Sequence, residues 1–319
     1  MAYFVGRRVD VGLAKESTRG TPVTPTFWLP VSSIGFDNKA VVQDSEGAFG
    51  NIADSHEGWV TKRNAEGDME FDIYDKFFGL VLAAIAGQTP TSTGGPTNYT
   101  HTYTLLNSNQ HQSLSIYIKD PNGATMFPLS MIDPLEINVE PEGIVKASAS
   151  WRSREGQDWQ SLSANYTSLG EKYLHQHLSF KLAANIAGLA AASAINLRSL
   201  SFKITKNLED WDDMGTAVPG DILNKQLAVE GTIELGFNDR VYRNYMLLNT
   251  YRACEIKLTQ GTNNVLTIQL PRVSFRAWEP SRGLDDLATE KIEFKAMYDL
   301  TNALAQISTL TLANQQASY

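Results

Sequence analysis

Ala65-Glu66-Gly67-Asp68-Met69-Glu70-Phe71-Asp72-Ile73-Tyr74-Asp75 returns later in the chain as Val229-Glu230-Gly231-Thr232-Ile233-Glu234-Leu235-Gly236-Phe237-Asn238-Asp239, at an offset of 230 − 66 = 164. Both stretches alternate. Ala65, Gly67, Met69, Phe71 and Ile73 share one side, as do Val229, Gly231, Ile233, Leu235 and Phe237. A period of two is that of a half-buried strand. Each strand runs into an aspartate, Asp75 or Asp239, placed to cap a helix. The spacing predicts a helix carrying Phe78, Val81, Leu82 and Ile85 after the first copy, and one carrying Val241, Tyr245 and Leu248 after the second.

The repeat extends outward from this strand. Upstream, Ser33-Ile34-Gly35-Phe36 resembles Ser199-Leu200-Ser201-Phe202 at an offset of 199 − 33 = 166. Downstream, the stretch from Pro134 through Glu140-Pro141-Glu142-Gly143 resembles that from Pro271 through Glu279-Pro280-Ser281-Arg282-Gly283. Each is a strand ending at a Pro and Gly turn. An alternating strand follows in both: Val145, Ala147, Ala149 and Trp151, then Ile292, Phe294, Ala296 and Tyr298. Further strands are expected at 99–106, 113–119, 254–259 and 266–270. The fold class is therefore mainly β (α+β): two tandem β-sandwich or barrel domains, 1–160 and 174–319, each with one short packed helix. Loops are expected at 88–98 and 183–196, ordered against a neighbouring subunit. The acidic stretch 207–223 matches 43–57 and reads as a solvated face.

Bulk composition sets outer limits on function. The 319 residues suffice for two ordinary cores, and 42% hydrophobic with 19% charged residues is a globular balance. A net charge of −8 opposes binding to a phosphate backbone. The one cysteine, Cys254, leaves no partner for an intrachain disulfide and reads as buried packing in an alternating strand. The first residues carry charge at Arg7, Arg8 and Asp10 with no long apolar stretch, so no signal peptide is expected. The apolar run at 77–86 is too short for a bilayer, so membrane insertion is not expected either.

Chemistry is hard to find. GxxxxGK[ST], GxSxG and HExxH are missing, as is a GxGxxG after a strand. His175 and His177 at i, i+2 would share a face on a strand, yet no third ligand is evident, and they read as exposed linker residues. Adjacent acids such as Asp212 with Asp213, or Asp285 with Asp286, do not fix the separation that hydrolysis needs. No catalytic, cofactor-binding or metal residue is assigned, and no cofactor is expected. One polar pattern is stronger: Glu66, Asp68, Glu70 and Asp72 share one face, with Glu230 and Glu234 on the matching face of the second copy. Like charges in succession repel, so such a row calls for a reason.

The opening stretch, Gly12-Leu13-Ala14-Lys15-Glu16-Ser17-Thr18-Arg19-Gly20-Thr21-Pro22 and on to Leu29-Pro30-Val31, resembles the start of tail tube proteins of long-tailed, siphovirus-type bacteriophages. The resemblance implies a structural virion protein, the major tail tube subunit. Each tube domain would be a β-sandwich with one helix, its sheet joined around a ring into a barrel that lines the channel for phage DNA. Most members carry one domain per chain and form hexameric rings. Two domains here imply trimeric rings with six like units. Implied partners are further copies of the chain, the tape measure, and the tail terminator and distal tail proteins. DNA would pass through the lumen without specific binding. The protein would be made in the host cytoplasm and reside in the virion.

On that reading Glu66, Asp68, Glu70, Asp72, Glu230 and Glu234 face the lumen. The hairpin tips, with Glu140, Pro141, Glu142, Gly143, Glu279, Pro280, Arg282, Asp285 and Asp286, contact the next ring. Alternatives are another tail ring component, a terminator or distal tail protein. A tandem β-sandwich adhesin or carbohydrate-binding protein would also fit the six tryptophans. A metal hydrolase built on His175 and His177 stands third.

Overall fold

The computed structural model describes residues 3–95 and 97–319; residues 1 and 2 of the expected first unit, and residue 96 of the expected 88–98 loop, lie outside them. The first half contains β1 (Asp10–Lys15), β2 (Phe27–Leu29), β3 (Val31–Ile34), β4 (Asp37–Ser45), β5 (Glu57–Asp72), α1 (Phe78–Ala86), β6 (Thr91–Gly95), β7 (Asn98–Thr102), β8 (Leu114–Lys119), β9 (Ala124–Val139), β10 (Lys146–Arg154) and β11 (Gln157–Asp158). The second contains β12 (Leu178–Ala183), α2 (Ile186–Leu189), β13 (Ala194–Ile195), β14 (Ser199–Thr205), β15 (Leu208–Trp211), β16 (Asp221–Asn224), β17 (Ala228–Gly236), α3 (Val241–Leu247), β18 (Arg252–Gln260), β19 (Asn264–Ser281), β20 (Thr289–Ala296) and β21 (Thr309–Asn314). The fold is mainly β, as the alternation predicts.

Two antiparallel pairing orders repeat. In the first half β3 pairs with β5, β5 with β10, and β10 with the end of β9. In the second, β14 pairs with β17, β17 with β20, and β20 with the end of β19. The two series join, because β14 pairs with the end of β9, Phe202 opposite Ile137. Eight strands thus form one run from β3 to β19. The first parts of β9 and β19 leave this run for a second layer: β2, β1, β8, β9 and β11 in one half, β13, β12, β18, β19 and β21 in the other. β21 also pairs with β7 of the first half, and β7 with β6.

The alternation explains the layers. Ala65, Met69 and Phe71 of β5 with Ile73 just past its end, Val229, Ile233 and Leu235 of β17, and their neighbours Ala149, Trp151, Ile292 and Phe294 are all buried in one apolar core that runs through both halves. Opposite residues in an antiparallel pair face the same way, so the intervening polar residues share the outer face. The repeated glycine has a different cause in each half. A Cβ on Gly67, whose φ is +152°, would lie 2.2 Å from the Gly35 carbonyl oxygen, and one on Gly231 would lie 2.4 Å from the Phe294 ring. Gly67 admits the neighbouring backbone; Gly231 admits an aromatic ring.

Several local expectations are corrected. Asp75 does not cap α1: it is buried, and its carboxylate accepts the Glu171 N–H at 2.5 Å. Asp239 does act at a helix start, accepting the Val241 N–H at 2.8 Å. α1 is buried on every face rather than along one stripe. On α3 the packed residues are Tyr242, Tyr245 and Met246, while Val241 and, just past the helix end, Leu248 are exposed. Residues 91–95 are a strand, not a loop, because β7 offers them a ladder. Residues 183–196 hold α2 and β13. The pairing aligns Trp151 with Phe294, each opposite its glycine, so Pro271 matches Pro128 rather than Pro134.

Candidate functional site: the polar face and the edges of the long sheet

All six acidic residues singled out from the sequence stand on the polar face of the eight-strand run, though in unequal settings. Glu66, Asp68 and Glu70 are exposed and make no ion pair among the described residues. Asp72 is half-buried and bound by Lys172 at 2.6 Å. Glu230 meets Lys295 at 2.7 Å, and Glu234 meets Arg198 at 3.7 Å. The neighbours continue this difference. Beside the first row lie Ser148, Ser150, Arg152 and Lys146 of β10 and Glu136 of β9. In the second half Lys203, Lys291 and Lys295 stand among Glu230, Glu234, Glu279 and Glu293. Carboxylates dominate the face in the first half, whereas the signs are mixed in the second.

The hairpin tips occupy one end of this run. Glu140, Pro141 and Glu142 are exposed, with Glu142 at φ +60° and the Gly143 N–H donating to the Glu140 carbonyl at 3.3 Å. In the longer tip Leu284 and Leu287 point into solvent beside Asp285 and Asp286. Arg282 is stacked over Phe237 at 4.9 Å, and Glu279 and Pro280 lie where β19 is still paired to β20. At the run's two sides, among the described residues, β3 and β4 pair only with β5, and the end of β19 only with β20. Both edges therefore offer unpaired backbone groups.

The acidic stretch 207–223 is solvated only in part: Glu209, Asp212 and Asp213 are exposed, while Asp210 and Asp221 turn inward. It folds as the β15–β16 hairpin and grips the first half. Lys62 binds Asp210 at 2.8 Å and Asp212 at 2.9 Å; Arg19 binds Asp221 at 2.7 Å and also donates to the Ile222 carbonyl. Arg154 donates to the carbonyls of Pro219, at 2.8 Å, and Gly220. Leu208 and Ile222 close over Leu129 and Met131. Arg19 is held in turn by the turn that Glu16 organises. The buried Glu16 carboxylate accepts from the Gly20 N–H at 2.7 Å, the Leu129 N–H at 2.8 Å, and the hydroxyls of Ser113 at 2.5 Å and Ser115 at 3.0 Å. Glu16 and Arg19 lie in the opening motif, yet their partners are about a hundred and two hundred residues away, so the sequence quoted them without showing their roles.

His175 and His177 sit on a 3-10 turn, not a strand, and the His177 Nδ1 accepts the Leu174 N–H at 3.1 Å. No group of three or more metal-ligating side chains converges among the described residues. Cys254 is buried as a free thiol in β18. No helix among the described residues is long and apolar enough to cross a membrane.

A polar sheet face, two open edges and projecting hairpins describe a structural β-sheet protein built around its sheet surfaces. The family described as phage tail tube protein matches residues 6–296, nearly the whole chain. The chain belongs to that family, and is thereby a component of the virion that self-assembles into a tube. No curated protein matches it.

Proposed function

We propose that this chain is the major tail tube subunit of a siphovirus-type phage, a tandem duplication of the tube domain over 1–160 and 174–319 that closes trimeric rings. The seam between β9 and β14 carries the reading. It already joins one copy of the repeated pairing order to the other inside a single chain. Phe36 stands opposite the Gly67 region as Phe202 stands opposite Gly231, and Pro280 occupies the place of Ile137. Repeating the seam between chains sets Phe36 of one chain opposite Pro280 of the next. A head-to-tail contact of this kind generates a ring if its rotation closes. Three chains, each with two units, would complete six.

The polar face then lines the channel, with Glu66, Asp68 and Glu70 repelling the passing DNA. The tips at 140–143 and 279–288 meet the adjacent ring. The tape measure, tail terminator and distal tail proteins are the further partners on this reading, and the tube is part of the mature virion. Electron microscopy of the concentrated protein tests it: long tubes with a central hole are expected, and shorter ones from a chain lacking 283–287. Particles without a hole, or tubes indifferent to that deletion, would count against the tube and the tip assignment respectively. A terminator or distal tail protein would give single rings instead of tubes.

A further inference from the structure

The first half carries a ribbon that nothing among the described residues covers. β4 and the opening of β5 pair from Asp37 opposite Glu66 to Ser45 opposite Glu57. Their outer residues are exposed on both faces, Val41, Val42, Trp59 and Val60 among them, with Trp59 at 60%, and so are Phe49 and Ile52 in the loop that joins the two strands. A two-stranded ribbon showing that much apolar surface is not stable by itself in water. The charged residues between positions 40 and 61 are Asp44, Glu46, Asp54 and Glu57, with no Lys or Arg among them.

The matching segment of the second half is the β15–β16 hairpin, which is docked rather than bare. Asp221 lies opposite Trp211 as Glu57 lies opposite Ser45, at an offset of 221 − 57 = 164. Its seat on the first half consists of Arg19, Arg154 and Lys62 around Leu129 and Met131. The second half has the same place in its fold, and there it is an open pocket bordered by the turn at 299–304, where Asp299 pairs with Leu304. Pro271 and Arg272 precede Phe275 as Pro128 and Leu129 precede Ile132; Phe275 and Ile132 pair with Phe294 and Trp151.

Cations gather there. The Arg272 guanidinium lies 3.8 Å from the centre of the Tyr251 ring, and that of Arg252 lies 4.3 Å from that of Tyr245. The Nε of Arg252 is buried without an acceptor. Arg276 follows four residues on along β19. None of the three makes an ion pair among the described residues. Asp299, a carboxylate that lines the same pocket and faces the Arg272 charge, accepts from the Asn302 side chain at 2.6 Å and the Thr301 N–H at 3.1 Å. Arginines stacked on aromatic rings keep their edge N–H groups free for a carboxylate or a carbonyl.

We infer that the acidic ribbon of one chain docks on the Arg252 and Arg272 seat of a second copy, with Glu57 in the place that Asp221 takes on Arg19. The inference rests on the ring reading. It adds a second, charge-based contact to the strand seam. The ribbon is in the first half and the seat is in the second, so the contact runs head to tail and joins the same neighbours as β3 and β19.

Crosslinking tests it. A chain carrying Glu57→Cys and Arg272→Cys, treated with a short bismaleimide during assembly, should give a denaturing-gel ladder ending at three chains, while the buried Cys254 stays unreacted. Glu57→Arg, on an exposed ribbon, should raise the concentration needed for assembly at least tenfold, and Arg272→Glu should restore it. Rings or tubes that form without this crosslink, with Glu57→Arg assembling like the parent, would overturn the docking and leave the tube reading intact. Failure of the parent chain to form any ring or tube would overturn both.

Discussion

Glu16 sits in a loop, but four donors from three parts of the chain converge on its carboxylate. Replacing it by Gln turns one acceptor into a donor that faces other donors. With hydrogen bonds to a charged acceptor worth about 1.5–3 kcal/mol each, Glu16→Gln should cost about 3 kcal/mol in denaturant unfolding of the dilute chain. An unchanged midpoint would show that the turn holds without it. His111 supplies the pH dependence. It is buried against Leu106 and Gly87, and burial first, then the charges of Lys206 and Arg19, hold its pKa down to about 4. Between pH 6.5 and 4 the unfolded chain binds a proton there that the folded chain refuses. Stability should therefore fall as pH drops through that window, by up to about 3 kcal/mol. In His111→Gln the fall should be shallower, measured by urea titration at each pH. The repeated glycines show how far a sequence speaks at this scale. Their recurrence was legible, whereas the crossing backbone at Gly67 and the ring over Gly231 depend on residues from other strands.

Strand identity was legible from alternation, because a half-buried strand writes its two faces into neighbouring residues. Helix surroundings were not: α1 carries the apolar set expected of one stripe, yet its other residues are small or apolar and tolerate burial all round. The acidic stretch 207–223 misled for a different reason. Its acids stand out in the sequence, but the arginines and lysine that bind them come from far earlier in the chain. The acidic row was placed on one face correctly by its period, but the cations that neutralise Asp72, Glu230 and Glu234 come from other segments. That difference sharpens the lumen proposal. Glu66→Gln, Asp68→Asn and Glu70→Gln together should leave tube assembly intact and slow genome ejection several-fold, followed by dye entry or DNA release. The equivalent changes at Glu230 and Glu234 should have less effect. Equal ejection rates in all variants would remove the channel role from this face.

Across the whole molecule, the informative feature is that one sheet ignores the boundary between the two halves. The sequence displayed the repeat but not the seam, since backbone hydrogen bonds between β9 and β14 leave no residue signature. The seam makes the chain a sample of the assembly it is proposed to build: one interface formed internally, and the same surfaces left open at β3 and β19. It also implies a channel of sixfold shape and threefold charge, because the two polar faces differ. A cryo-electron microscopy map of the assembled tube tests this most directly. Three chains per ring are expected, with β3 paired to β19 of the next chain and Phe36 opposite Pro280. Six chains per ring, or chains that meet through surfaces other than these edges, would contradict it.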